Sequence, residues 1–219
     1  MVHSVTELLV GKLGLPGAVT VPSDSIGLVV FAHGSGSSRL SPRNTMVARQ
    51  LNEHRLATLL FDLLTDDEAM DRRNVFDIPL LGGRVVEALH WTITQPTLNA
   101  LPVGLFGAST GAAAALVAAA EAPDLVSAVV SRGGRPDLAG PVLERVRAPT
   151  LLIVGGEDYQ VLELNRIAQR HLRCETSLVV VPGATHLFEE PGTLGQVVAA
   201  ASNWFTKHLA GKVHPVTSS

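Results

Sequence analysis

Short, unbroken apolar runs recur along this chain, each stopping at a glycine or a polar loop, and that recurrence constrains the fold more than anything else. The runs are "IGLVVFAHG" (Ile26–Gly34), "ATLLFDLL" (Ala57–Leu64), "PVGLFGAS" (Pro102–Ser109), "SAVVSRGG" (Ser127–Gly134), "TLLIVGGED" (Thr150–Asp158) and "TSLVVVPGA" (Thr176–Ala184). A strand that is apolar without alternation is buried on both faces. Between the runs lie "SPRNTMVARQLNEH", "IPLLGGRVVEALHWTI", "TGAAAALVAAAEA", "AGPVLERV", "VLELNRIAQRHL" and "TLGQVVAAASNWFTKHL", all read as helices. The first has Ser41 as N-cap and Pro42 in its first turn, where a missing N–H costs nothing. Strands alternating with helices in this way dictate an α/β fold: a mostly parallel sheet with helices on both faces.

Two β-type segments, "VTELLV" (Val5–Val10) and "GAVTVP" (Gly17–Pro22), precede the alternation and bring the expected sheet to about eight strands. "TDDEAMDRRNVFD" reads as a polar loop, and the Gly82-Gly83 pair as a point of close packing. No repeat or linker divides the chain, so one domain is expected over residues 1–209, with a frayed tail at 210–219.

Composition removes several classes of function. A hydrophobic fraction of 46% excludes disorder, and a net charge of −3 with dispersed basic residues offers nothing to nucleic acid or an anionic membrane. Cys174 is the only cysteine, which excludes an intrachain disulfide and a cysteine-cage metal site. The N-terminal "MVHSVTELLVGKLGLPG" lacks the pattern of a secretory signal, and the longest apolar block falls short of the roughly 18 residues of a spanning helix. A soluble cytoplasmic protein, monomer or small homo-oligomer, is expected, with a small molecule as its partner and neither nucleic acid nor membrane.

In an open parallel sheet, ligands bind beyond the carboxyl ends of the strands. There "GLFGASTG" places Gly107-Ala108-Ser109-Thr110-Gly111, a G-x-S-x-G match, directly between a strand and a helix. A serine that must face substrate has to project from a sharp turn, and flanking glycines let strand and helix approach. Dinucleotide binding would need Gly-x-Gly-x-x-Gly and phosphate binding a Walker lysine; neither is present here.

By itself the pentapeptide is weak, since a glycine-rich connection could be purely structural. Its partners strengthen it. Asp158 follows "TLLIVGG" and His186 follows "TSLVVVPGA", so serine, acid and histidine come in the order of an α/β Ser-Asp-His set, each at a strand end. A histidine takes the serine proton, and a carboxylate fixes its tautomer and stabilises the imidazolium. Asp158 could instead only cap the next helix, and Glu157 is the alternative acid. For an oxyanion, the expected donors are the amides of Thr110 and Ser35, the latter on the loop "AHGSGSSR". His33 is placed to brace that loop rather than to act as base.

These segments, "FAHGSGSSRLSPRN", "GLFGASTGAAAAL", "VVSRGGRPDLA", "LLIVGGEDYQVLELN" and "VVVPGATHLFEEPG", resemble the α/β-hydrolase superfamily and, within it, dienelactone-hydrolase-like proteins. The resemblance runs from about Ile26 to Leu209, and several segments are similar to a hydrolase module found joined to phosphoribosyltransferase domains; no such second domain is expected here. It implies Ser109 as nucleophile, Asp158 as acid and His186 as base. Dienelactone hydrolases proper carry cysteine at the elbow. Serine there points to ordinary carboxylic esters, and Cys174, remote from the elbow, reads as inert. The connection after "SAVVSRGG" is too short for a large lid.

Arg39, Arg132 and Arg135, with Arg43, lie on loops near this edge, where they could bind an anionic substrate group or pair with Asp62, Asp66, Asp67, Asp71 or Asp137. The expected activity is cleavage of small carboxylic esters through an acyl-enzyme, without metal or organic cofactor. An acyltransferase or thioesterase with the same residues, or a non-catalytic ligand-binding member of the fold, are the alternatives.

Overall fold

The computed structural model describes residues 4–212; the last seven residues of the expected tail and the first three of the chain lie outside the described residues. The strands are β1 (Val5–Val10), β2 (Leu15–Thr20), β3 (Gly27–Ala32), β4 (Leu56–Phe61), β5 (Val103–Ala108), β6 (Val126–Arg132), β7 (Thr150–Gly155) and β8 (Thr176–Val181). They form one eight-stranded sheet in the order β1-β2-β4-β3-β5-β6-β7-β8. Only β2 runs antiparallel to its neighbours β1 and β4; β4 through β8 are parallel in pairs.

The chain winds outward from β3 to β4 and then crosses to β5, so the direction of winding reverses between β3 and β5. That reversal opens a crevice at their carboxyl ends. Ala32 of β3 is level with Gly107 of β5, and Ala108 of β5 with Arg132 of β6, so the segments after these three strands emerge side by side.

Helices α1 (Pro42–Glu53) and α7 (Thr193–Leu209) cover one face, where Val29, Phe31, Phe106 and Val130 meet Val47, Leu51 and Phe205. On the other face two of the covering helices, here labelled α4 (Ile78–Ile93) and α5 (Thr110–Glu121), pack on Leu28, Val30, Leu105 and Val129. Helix α5 is buried from Thr110 to Ala120, and its alanines make that possible, since larger side chains would hold it off the sheet. Among the described residues, no helix is long and apolar enough to cross a membrane.

Three readings need correction. The stretch expected as a polar loop contains two short helices, α2 (Asp66–Met70) and α3 (Arg72–Val75). The cause is a capping box: Thr65 Oγ1 accepts from the Glu68 amide, and the Glu68 carboxylate accepts from the Thr65 amide. The second strand begins two residues earlier than expected, because a tight turn with left-handed Gly11 and Gly14 completes the reversal before Leu15. The short helix at "AGPVLERV" is a 3-10 segment, Pro136–Arg145, broken at Gly140, whose φ is 58°. Helix α6 (Tyr159–His171) completes the fold.

The glycines at close approaches sort cleanly. A Cβ on Gly111 would overlap the carbonyl oxygens of Ala32 and His33, and one on Gly82 would run into Val117, whereas one on Gly83 would meet nothing. Gly111→Ala therefore forces backbone apart and should cost about 2–3 kcal/mol. Gly83→Ala removes only the entropic handicap of a helical glycine and should gain roughly 0.5–1 kcal/mol. Thermal unfolding should show the first variant melting several degrees below wild type and the second at or above it. Equal midpoints for both variants would contradict this packing.

Candidate active site

Ser109 occupies the N-cap position of α5 with φ 52° and ψ −121°, a conformation that L-residues rarely adopt. Its side chain makes no capping bond. The glycines at 107 and 111 create the turn: a Cβ at Gly107 would collide with the backbone of Ala112. Ser109 Oγ lies 3.4 Å from His186 Nε2, and His186 Nδ1 lies 2.6 Å from Asp158 Oδ2. Asp158 is at the N-cap position of α6 yet makes no side-chain capping bond either. Glu157, the other acid considered, accepts instead from the Tyr159 hydroxyl.

The loops that carry the acid and the histidine are tied to each other by backbone. The Gly156 amide donates to Val181 O at 2.8 Å and the Glu157 amide to Ala184 O at 3.0 Å. Beyond His186, Thr185 donates through its hydroxyl (2.6 Å) and its amide (3.1 Å) to Glu190, which holds that loop closed. Sequence reading does not single out Glu190, because a hydrogen bond across an irregular loop has no characteristic spacing. With its side chain 37% exposed, His186 is open to solvent, and Asp158 is mostly covered at 15%.

Thr110 stands at the first helical position, where an amide has no intrahelical acceptor. The Ser35 amide donates at 2.8 Å to Thr110 Oγ1. His33 braces the same loop: Leu63 N–H donates to its Nε2 at 3.1 Å, which leaves Nδ1 protonated and donating to Gly34 O at 3.0 Å. Burial holds this imidazole below its ordinary range, although the Gly34 carbonyl and Asp62 pull the other way.

Each arginine considered for substrate binding is occupied within the protein. Arg39 Nε is 3.4 Å from Asp62, Arg39 Nη2 is 3.5 Å from Glu7, and its amide donates to Asp62. Arg135 forms a forked pair with Asp137 at 2.8 and 2.9 Å. Arg43 pairs with Glu189 at 3.0 Å. Arg132 is buried under the histidine loop, where it donates to Asn44 Oδ1 at 3.1 Å and lies 5.8 Å from the centre of the Phe188 ring. Desolvation, with repulsion from Arg43, pushes its guanidinium down to about 10. Cys174 sits by the amino end of β8, half-buried, with its thiol pushed up by desolvation.

A cleft of about 200 Å³ opens beside the loop that carries Ser35. Its floor is Leu63, Leu64, Val75 and Leu81, and Asp62 and Asp66 stand on its wall. Gly34, which also lines it, packs directly on Ser109; a Cβ on Gly34 would come within 3.0 Å of the serine Cβ.

No family model matches the chain. It is 52% identical to the dienelactone hydrolase from Anabaena variabilis, covering 95% of this chain and 98% of that one, with a TM-score of 0.90. At the level of fold it also resembles Est1E from Butyrivibrio proteoclasticus (15% identity, TM-score 0.77, covering 92% and 98%). A dienelactone hydrolase-like promiscuous phosphotriesterase from metagenomic libraries is similar in the same way (17% identity, TM-score 0.78, covering 96% and 100%). Curated proteins of Mycobacterium tuberculosis, named provisionally as phosphoribosyl transferases, are 59% identical over 205 residues. That match takes in 94% of this chain but 46% of theirs, so the chain spans about half the length of the curated relatives it matches.

His33 yields a prediction with a definite sign. Its folded value lies below the ordinary 6.5, so its contribution to stability is fully present above that value and is lost as pH falls through the folded one. Protonation would also set Nε2–H against the Leu63 amide it now accepts from. Chemical denaturation between pH 7.5 and 5 should show wild type losing stability more steeply than His33→Gln. Identical slopes would contradict this role.

Proposed function

The chain belongs to the dienelactone-hydrolase family of α/β-hydrolases, and from that premise we propose that it is a serine hydrolase cleaving small, uncharged carboxylic esters through an acyl-enzyme. One observation carries this reading: Ser109, His186 and Asp158 are in line at 3.4 and 2.6 Å, and neither the serine nor the aspartate spends its side chain capping the helix it begins. A serine–histidine distance slightly beyond hydrogen-bond ideal is usual before substrate is bound.

In the proposed reaction the Asp158 carboxylate accepts a hydrogen bond from His186 Nδ1–H, which keeps that proton on Nδ1 and the lone pair on Nε2. Ser109 Oγ adds to the ester carbonyl carbon as its proton passes to Nε2, and the carbonyl π pair moves onto oxygen. Collapse of that tetrahedral species returns the pair, breaks the bond to the alkoxide and delivers the Nε2 proton to it. Water repeats the sequence on the acyl-enzyme, regenerating Ser109 and releasing the acid. The Thr110 amide, at the positive end of α5, stabilises the oxyanion, a contribution worth roughly 10²–10³ in rate for one donor.

The cleft beside Ser35 supports a compact apolar acyl or alkoxy group, given its volume of about 200 Å³ and its leucine floor. Its charged lining residues are Asp62 and Asp66, and the nearby Arg39 is already paired with Asp62. A substrate carboxylate placed there would meet like charge. The transferase name of the mycobacterial relatives describes proteins of which more than half lies beyond the matched segment, so it says little about this part.

Stopped-flow hydrolysis of p-nitrophenyl butyrate should give a burst of nitrophenol equal to the enzyme concentration, absent in Ser109→Ala. An aryl ester bearing a free carboxylate on its acyl chain should show kcat/KM about tenfold lower, equivalent to roughly 1.4 kcal/mol of repulsion. Turnover that survives Ser109→Ala would overturn the proposal, and a preference for the anionic ester would overturn its substrate class.

A further inference from the structure

Esterases of this architecture are expected to hold the oxyanion with two backbone amides, yet one of the two expected donors here is engaged elsewhere. The Ser35 amide donates at 2.8 Å to the hydroxyl of Thr110, a residue 75 positions away in sequence. Thr110 is 5% exposed, and its own amide is at the first position of α5. The Ser35 amide is therefore held against the side chain of the residue that directly follows Ser109, whose own amide opens α5.

A threonine hydroxyl offers one O–H and two lone pairs. The Ser35 amide uses a lone pair, and among the described residues Oγ1 meets no protein acceptor for its proton. An N–H bond accepted at oxygen polarises the O–H and strengthens it as a donor. The valine that would match threonine in shape could neither accept from the Ser35 amide nor donate a proton.

We propose that the Thr110 hydroxyl is a catalytic oxyanion donor: Ser35 N–H fixes and polarises Oγ1, and the Thr110 O–H hydrogen-bonds the substrate oxygen as negative charge develops on it. The threonine keeps its proton throughout; the only proton that moves is the one from Ser109 to His186 and on to the leaving alkoxide. Ser35 then acts as a positioning residue, through Thr110 rather than on the substrate. This deepens the acyl-enzyme reading and rests on it.

The test compares wild type with Thr110→Val and Thr110→Ser, using p-nitrophenyl butyrate turnover and inhibition by a trifluoromethyl ketone, whose hemiketal oxygen mimics the oxyanion. Thr110→Val should lose about 10²–10³ in kcat with KM within a few fold, the loss expected for one oxyanion donor. The ketone should weaken by a similar factor, and Thr110→Ser should keep most of both properties. If Oγ1 merely blocks the Ser35 amide, Thr110→Val will match or exceed wild type in kcat and ketone affinity, and the proposal fails. Should Thr110→Val not fold, as judged by near-UV circular dichroism, Thr110→Ser and Ser35→Pro decide the matter. Ser35→Pro removes the amide and should lower kcat while leaving Ser109 reactive to a fluorophosphonate, and unchanged kcat there overturns the relay. Absence of Ser109-dependent turnover in wild type would instead defeat the hydrolase reading beneath it, which the Ser109→Ala control reveals separately.

Discussion

The molecule depends on one strained residue. Ser109 sits at φ 52° and ψ −121°, a conformation that costs on the order of 1–3 kcal/mol and persists only where surrounding structure over-determines it. Here three backbone bonds do so. Its amide donates to Arg132 O at 3.2 Å, and its carbonyl accepts from Ala112 (3.1 Å) and Arg135 (3.0 Å). The first of these bonds joins the elbow to β6, and the last joins it to the loop after β6. Close approach at Gly107 and Gly111 then drives α5 against β3 and β5, which is why that helix is built from alanine.

The remaining geometry serves to bring a histidine to that serine. Backbone bonds between the loops after β7 and β8 set Asp158 against His186, and the Thr185–Glu190 contacts close the histidine loop. Phe188 is in the left-handed region (φ 56°) and only 2% exposed. Arg132 lies beneath it as a buried cation whose hydrogen bond goes to a neutral amide. Burying a guanidinium without a carboxylate is expensive, and the ring and Asn44 offset part of that cost. Its placement between α1 and the histidine loop gives this charge a structural duty, unlike the exposed surface pairs, which contribute little.

Much of this was legible in the sequence because it is written in periodicities and spacings. Continuous apolar runs announced buried parallel strands, and the carboxyl-edge rule singled out the loops of Ser35, Ser109, Asp158 and His186. Between Asp158 and Glu157 the shorter side chain, better suited to a tight turn, already favoured Asp158; the Tyr159 hydroxyl that occupies Glu157 was not legible. The helices after β4 were missed although Thr65 and Glu68 have the spacing of a capping box, because the charge of the segment outweighed the motif. For the arginines, pairing with Asp62 and Asp137 was among the readings open in the sequence, and Arg39 and Arg135 take those partners; the surroundings of Arg132 could not be read. A partner such as Asn44 for Arg132, 88 residues distant, exists only once the sheet has formed.

The central claim is that Ser109 is a nucleophile activated by His186. Incubation with an alkyl fluorophosphonate, followed by intact mass and peptide mapping, tests it most directly. One adduct per chain should appear on the peptide containing Ser109, and labelling should slow by orders of magnitude in His186→Gln while that variant keeps its fold. Labelling at another residue, or at Ser109 with undiminished rate in His186→Gln, would contradict the account.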